Sequence, residues 1–371
     1  MPRHAAVDVD RAAIARNTAT IRAHCGGPTV CAVVKADGYG HGAITAAEGA
    51  LQGGAEQLAV ALVEEGVALR DHGIQAPILV LSEPPADAMG DAAAARLTPT
   101  LYTPEGVAAA AAVSPGEWTV HLKVDTGMHR VGAHPGDAVA LARCITDRPQ
   151  LRLGGVFTHL AVADEPDRPE TAQQLARFDD VLAALAAERI DPGTVHAANS
   201  AGAIAHPAAR RDLVRVGIAI YGIDPSDQLA GFVPLEPAMT VRAEVTLVKD
   251  LVPGDGISYG LRHVVDRDAT VAVVPLGYAD GVPRRLGLCG GEVLIGGVRR
   301  PIRGVVTMDQ LIVEVTDGPP VRAGDEVVLI GEQRGERITA AEWAARVDTI
   351  AYEIVCGFRL RLPRREQNGA G

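Results

Sequence analysis

Aromatic side chains are scarce in this chain of 371 residues: Phe, Trp and Tyr together make up 3% of it. Its core must therefore come mainly from Val, Leu, Ile and Ala, which a hydrophobic content of 47% can supply. Cysteine is sparse too. The five, at positions 25, 31, 144, 289 and 356, never form a C-x-x-C. That pattern excludes a disulfide framework and a zinc site, predicts no metal, and fits a reducing compartment. Basic charge is not in excess: the formal net charge of −11 argues against nonspecific nucleic-acid binding, which depends on Lys and Arg neutralising phosphates. No apolar run approaches the ~20 residues needed to span a bilayer. The opening MPRHAAVDVDRAAIARN carries charges where a signal peptide would be apolar. The chain reads as soluble, cytoplasmic and long enough for two domains.

Short apolar runs alternate with Ala-rich helical stretches through the first two thirds. Strands are expected at VCAVVK, QLAVAL, PILVLS, TPTLY, TVHLKVD, LGGVFTHL, TVHAANS and LVRVGIAIYG. Near-continuous apolar strands in that rhythm suit a parallel (β/α)8 barrel of TIM type, whose strands are buried on both faces. A doubly wound open sheet would alternate similarly, but no G-x-G-x-x-G follows the first strand, and the count of eight favours the barrel. Near residue 238 the rhythm changes to short alternating strands with Gly-rich turns, the pattern of an antiparallel β domain. We therefore expect an α/β chain with a barrel over 1–238 and a mainly antiparallel β domain over 239–371. One helix should interrupt that domain, opening on a Thr339/Glu342 capping box and running through AAEWAARVDTIAYEI. The first strand, HAAVDVD, is a candidate partner for the β domain.

Functional groups in such a barrel collect at the C-terminal strand ends, and here those ends are polar. The first strand closes on Lys35, within VCAVVKADGYGHGA. A buried ammonium is costly unless paired or used. Held in a partly apolar pocket, a lysine can lose its proton and form a Schiff base with an aldehyde. A lysine with its head in water beside a turn would satisfy the same run. HLKVDTGMHR after the fifth strand brings Lys123, Asp125 and Arg130, and the sixth strand reaches His159. The seventh ends on Asn199 and Ser200, and the eighth carries Arg215 ahead of Gly217 and Ile218. Ser200 and the Gly217–Ile218 backbone offer donors to a phosphate; a serine N-cap and a glycine turn would leave the same letters. Arg215, inside an apolar strand, needs either a partner or a bulge. Lys123 and Asp125 read equally as an ion pair.

The KADGYGHG string resembles the pyridoxal 5′-phosphate lysine motif of the alanine racemases, and matching segments follow in order over about residues 5–364. GDGISYG resembles the family's catalytic tyrosine motif at Tyr259. GYADG looks like its entryway segment, with Tyr278 and Arg284, and Asp164 follows His159 at the family spacing. TMDQ places Met308, whose backbone N–H meets the substrate carboxylate in the family. TIAYE brings Ile350 to the entryway and the Tyr352 hydroxyl to the phosphate. The resemblance implies pyridoxal 5′-phosphate bound at Lys35, with Tyr39, His159, Asn199, Ser200, Arg215, Gly217, Ile218 and Tyr352 in the cofactor site. Arg130 and Met308 would hold substrate, and Lys123 would be carbamylated and orient Arg130. Tyr259 would enter from the partner subunit of a homodimer as the second base, opposite Lys35, with His159 linking it to Arg215. Arg215 would face the pyridine nitrogen; a guanidinium gives up no proton, so that nitrogen stays unprotonated and the ring is a weaker electron sink. The implied activity is interconversion of L- and D-alanine, supplying D-alanine for peptidoglycan.

Three positions, in two motifs, depart from the family. GVVTMD stands where G-R-V-C-M-D is common, so Val305 replaces an entryway arginine and Thr307 a cysteine; Arg303 is a candidate to supply the charge from the same strand face. VRVG stands for V-R-P-G, a change that removes no side-chain chemistry. The altered gate keeps a broader amino-acid racemase in view. A barrel decarboxylase would need no Tyr259, and a single-barrel cofactor carrier would lack the β domain. A protein that sequesters a cyclic alanine mimic would use the same pocket.

Overall fold

A computed structural model describes residues 4–114, 116–358 and 360–367. The chain divides into two compact units. One comprises residues 12–38 and 43–236; the other takes the segment up to residue 11, residues 39–42 and everything from 237 onward.

The first unit is built on eight parallel strands, all at the expected places: Thr29–Val33, Gln57–Val60, Ile78–Val80, Thr98–Leu101, Trp118–Lys123, Leu151–Phe157, Thr194–His196 and Leu213–Val216. Each pairs with the next in sequence through the seventh, and the eighth pairs with the first. Between the seventh and eighth, two backbone bonds complete the ring: Asp212 N–H to Val195 O and Arg215 N–H to Ala198 O, both 3.0 Å. The strands are aliphatic on both faces because both are buried; Val30, Ala32, Leu58, Val60, Ile78 and Val214 are fully enclosed. The eighth strand is shorter than its apolar run. The backbone breaks at Gly217 (φ −106°, ψ −96°), and Ile218–Tyr221 coils into a tight helical turn.

In the second unit, Ala5–Asp10 pairs antiparallel with Met239–Glu244 and parallel with Arg364–Gln367. This first strand thus belongs to the β unit, the pairing its sequence allowed. The sheet continues through Glu326–Gln333, Glu292–Ile295 and Val298–Pro301. A separate antiparallel sheet joins Leu247–Leu251, Ala269–Val274 and Leu311–Glu314, and the short ladder Gly256–Ile257/His263–Val264 forms a hairpin. The single expected helix is two, Ala340–Val347 and Ala351–Gly357. Asp348 adopts a left-handed conformation (φ 59°, ψ 57°) that ends the first. Thr339 Oγ caps it by accepting the Glu342 N–H at 3.0 Å. The Glu342 carboxylate, expected to close a capping box, lies instead 2.7 Å from Arg299.

Candidate functional site

Lys35 is followed by backbone that L-residues rarely adopt. Ala36 (φ 53°, ψ 51°), Asp37 (φ 53°, ψ 47°) and Gly38 (φ 60°, ψ 42°) form a left-handed helical turn, extended by Tyr39 at φ 53° and Gly40 at φ 80°. The three non-glycine residues together cost about 3–6 kcal/mol relative to right-handed backbone. Among the hydrogen bonds that hold the turn are Gly38 N–H to Val34 O (3.0 Å), Ala43 N–H to Asp37 Oδ1 (2.9 Å), and Ala36 N–H to Glu65 Oε1 (2.6 Å). At Gly38 a Cβ would sit 2.8 Å from that of Ala46, so the helix behind the turn leaves no room for a side chain.

The barrel interior beside this turn is polar by strand register. Lys123 pairs with Phe157 and Phe157 with His196, so the three side chains form a row across adjacent strands. Phe157 stacks on His196 with centroids 4.5 Å apart and planes 9° from parallel. The Arg215 guanidinium and the Lys123 ammonium lie 5.0 and 5.4 Å from the Phe157 centroid, within cation–π range. One layer away, His121 faces Gly155 across the register. There a Cβ would approach the imidazole Cε1 to 2.6 Å, so the histidine dictates the glycine.

Arg215 is buried and organises this interior. One guanidinium nitrogen donates to His196 Nδ1 at 2.8 Å; the other donates to Thr158 O (2.7 Å), Ala197 O (3.0 Å) and His159 Nδ1 (3.3 Å). No bulge is needed, because the cation has partners. The His196 Nε2 lies 3.0 Å from His121 Nδ1, so an imidazole chain runs inward from Arg215. Burial and the Arg215 charge push His159 and His196 well below the ordinary imidazole range and His121 down to about 4. Burial, then the positive charges of Arg215, Arg130 and Lys35, bring Lys123 down to about 7.

Asp125 offers Lys123 little relief. Its Oδ1 accepts the N–H groups of Gly127, Met128 and His129, each at 3.0 Å, and Lys123 Nζ donates to Leu81 O at 3.2 Å. The two side chains are not bonded to each other. After the seventh strand, Asn199 Oδ1 caps the helix Ser200–Ala205 by accepting Gly202 N–H (2.9 Å). Ser200 Oγ accepts Gly217 N–H at 2.9 Å, which ties together the loops after the last two strands. Asp164 accepts Ser226 Oγ–H on its backbone oxygen (2.6 Å).

The β unit carries the other candidates. Tyr259 projects from its hairpin at 70% exposure, between Ser258 (φ 62°) and Gly260 (φ 74°). Ser258 Oγ–H donates to Val305 O at 2.6 Å, so Val305 anchors the tyrosine turn through its backbone while its side chain is buried. Arg303, the candidate to supply the absent arginine's charge, has its Nε 2.7 Å from Glu314 Oε2, so that charge is paired. The loops of Tyr278 and Met308 interlock, with Tyr278 N–H on Thr307 O (2.9 Å) and Ala279 N–H on Met308 O (3.0 Å). Arg284 closes the same region, its carbonyl accepting Val306 N–H at 3.2 Å. Tyr352 sits in the first turn of its helix, its ring 6.2 Å from that of Tyr39, and the neighbouring Ile350 is exposed.

The barrel unit thus brings Lys35, Lys123, Arg130, His159 and Arg215 into mutual electrostatic reach, with Ser200 and Gly217 bonded to each other. Sequence reasoning missed His121, His196, Gln174 and Glu65. Gln174, buried on the helix Glu170–Ala187, donates to His159 O (3.0 Å) and accepts Ala161 N–H (2.8 Å), which fixes the backbone on both sides of Leu160. The signal for the histidines was available: two polar residues at period two in HLK and a histidine opening HAANS, all in strands expected to be buried.

Known proteins give the same picture from outside. The family model "Alanine racemase, N-terminal domain" matches residues 9–225, and "Alanine racemase, C-terminal domain" matches 238–366. The alanine racemase of Symbiobacterium thermophilum is 48% identical over 360 residues, covering 96% of this chain and 95% of its own. That of Thermobifida fusca is 43% identical, covering 98% of each. Among solved structures, the alanine racemase from D-cycloserine-producing Streptomyces lavendulae superposes with a TM-score of 0.93 at 36% identity, covering 100% of this chain and 98% of its own. The Bacillus anthracis alanine racemase with bound L-Ala-P gives 0.92 at 37% identity, covering 99% and 96%.

Proposed function

This chain belongs to the alanine racemase family, and on that premise we propose that it interconverts L- and D-alanine by a two-base mechanism with pyridoxal 5′-phosphate at Lys35. The observation that carries the reading is the cationic cluster around His159. Lys35, Lys123, Arg130 and Arg215 all bear on that imidazole. The acceptors of Arg215 are two carbonyls and two imidazoles, and Asp125 spends its Oδ1 on backbone N–H groups. A donor set with surplus positive charge fits an anionic cofactor and an anionic amino-acid carboxylate.

When bound, the cofactor supplies an aldehyde for amines and an electron-withdrawing ring that acidifies the substrate Cα–H. Ser200, Gly217, Ile218 and Tyr352 would hold its phosphate, with Tyr39 and Asn199 supporting them, and Arg215 would donate to the ring nitrogen. Arg130 and the Met308 N–H would bind the substrate carboxylate. Lys35 would give and take the proton at Cα on the D side, and Tyr259 of the partner subunit on the L side, which makes a homodimer part of the reading. His159 accepts at Nδ1 from an obligate donor, so its own proton sits on Nε2. That N–H is the group that would donate to the tyrosine oxygen and hold it in place for proton transfer.

Lys123, at about 7, is a free amine for part of the time at neutral pH and competent to take up carbon dioxide. Carbamate formation on that amine would release one proton, and with the proton already lost from the ammonium it would replace a cation with an anion beside Arg130. Asp164, Tyr278, Arg284 and Ile350 belong to the approach to the site. Among the described residues no helix is long and apolar enough to cross a membrane. A cytoplasmic enzyme supplying D-alanine for peptidoglycan completes the proposal.

The test is chiral chromatography of L-alanine and L-serine after incubation with the purified protein and pyridoxal phosphate. D-Alanine in large excess over D-serine is expected. Val305 at the gate gives the competing reading its foothold, and dominant D-serine would establish a broader racemase. No D product would refute racemisation.

A further inference from the structure

We propose that Glu65, on the helix Val63–Asp71 after the second barrel strand, is the residue that positions Lys35, by holding the Ala36 amide in the left-handed turn. The inference rests on Lys35 being the cofactor lysine and adds to that reading the group that aims it.

The carboxylate of Glu65 serves two loops. Its Oε2 accepts the N–H groups of Ala61 (2.8 Å) and Leu62 (3.1 Å), which closes the start of its own helix. Capping needs only that oxygen. Oε1 reaches to the neighbouring strand end and accepts Ala36 N–H at 2.6 Å, a charge-assisted bond. Ala36 is exposed, so without Glu65 its N–H would turn to water.

The location matters more than the bond count. Ala36 is the first left-handed residue and the immediate neighbour of Lys35, so its φ sets the direction in which the lysine backbone leaves the strand. Two further bonds of the turn are local: Gly38 to Val34 within the same strand end, and Ala43 to Asp37 at the following helix. Glu65, unlike the partners of those two bonds, comes from a different strand–helix unit. It therefore fixes Lys35 relative to the second strand, not merely to its own turn. Right-handed backbone is the default for Ala and Asp, and an unanchored Ala36 has a favourable route back to it.

Hydrogen–deuterium exchange at single-amide resolution on the holoenzyme tests this first without any substitution. The Ala36 amide should exchange slowly despite its exposure, and rapid exchange would overturn the proposal. The variants E65Q and E65A should then release that amide in order, with E64Q unchanged. E65A should lose about 100-fold in kcat, the scale of a misplacement near 1 Å, with KM for alanine within about twofold and E65Q intermediate. Borohydride trapping of pyridoxal phosphate on Lys35, located by peptide mass mapping, should slow in the same order, and this readout is independent of the substrate. If the parent traps the cofactor at Lys35 but does not racemise alanine, the functional reading fails and the Glu65 series still stands. If E65A keeps the parent's trapping rate and kcat, Glu65 only caps its helix.

Discussion

Arg215 donates to His196 Nδ1 at 2.8 Å, and this single bond fixes protons two residues further on. A guanidinium has only donors, so Nδ1 must be the bare nitrogen and the proton of a neutral His196 lies on Nε2. That N–H points at His121 Nδ1, 3.0 Å away, which places the His121 proton on Nε2 as well. Nitrogen-15 NMR should show both imidazoles as neutral Nε2–H tautomers at pH 7. A cationic or Nδ1–H signal from either would overturn the assignment.

Acid should unfold this protein early. Burial, then the Arg215 charge, holds His121, His159 and His196 below the ordinary imidazole range near 6.5, His121 at about 4. Below pH 6.5 the unfolded chain binds protons that the folded chain refuses, so stability is complete above 6.5 and is lost as the pH falls towards 4. His121 contributes about 1.4 kcal/mol per pH unit in that window, and His159 and His196 act in the same direction. Urea melts from pH 7.5 to 4.5 should show the midpoint falling steeply below 6.5. A flat profile would mean that these imidazoles accept protons inside the fold.

Removing Lys35 should remove covalent attachment of the cofactor. In K35A, borohydride treatment with pyridoxal phosphate should leave no label on the peptide containing residue 35. Label retained elsewhere at full stoichiometry would name a different lysine.

Tyr259→Phe separates the two proposed bases. Racemisation should fall by about 10²–10⁴-fold, the range for one general base. Exchange of the Cα proton of D-alanine with deuterated water should persist, since Lys35 is untouched, whereas exchange from L-alanine should collapse. Equal loss from both enantiomers would dismiss Tyr259 as the L-side base.

Arg303→Ala should leave the ratio of alanine to serine turnover unchanged, because the guanidinium is bonded to Glu314. The lost ion pair should cost about 0–1 kcal/mol in a urea melt. A shifted substrate ratio would restore Arg303 to the gate.

Burial brings Lys123 down to about 7 in the fold, against 10.5 for an ordinary lysine amine. Between those limits the unfolded chain binds more protons, so the burial penalty of Lys123 fades as the pH rises. In carbon-dioxide-free buffer, any stability advantage of K123M should therefore shrink between pH 6.5 and 9.5. With ¹³C-bicarbonate, a carbamate resonance should appear in the parent and be missing in K123M.

Much of this was legible in the sequence because burial on both faces imposes a simple rule on barrel strands. All eight apolar runs became strands, and the polar residues at their ends, Lys35, Lys123, His159 and Arg215, lie within one electrostatic neighbourhood. The left-handed turn was hidden, since Ala36 and Asp37 have no left-handed preference strong enough to announce it and distant bonds impose it. Glu65 looked like an ordinary helix acid for the same reason: its second partner is 29 positions away in sequence. The break at Asp348 escaped notice because AAEWAARVDTIAYEI contains neither Gly nor Pro.

The sheet that places Ala5–Asp10 between Met239–Glu244 and Arg364–Gln367 also sets a timetable for synthesis. The first strand leaves the ribosome long before either neighbour exists, and the whole barrel sequence is made in the interval. The barrel can form as a unit while the amino-terminal strand waits with both edges open, an exposure that invites pairing with other chains. Arg364–Gln367 covers the second edge. A protease removing Arg364–Gln367 would leave one edge of Ala5–Asp10 permanently uncovered.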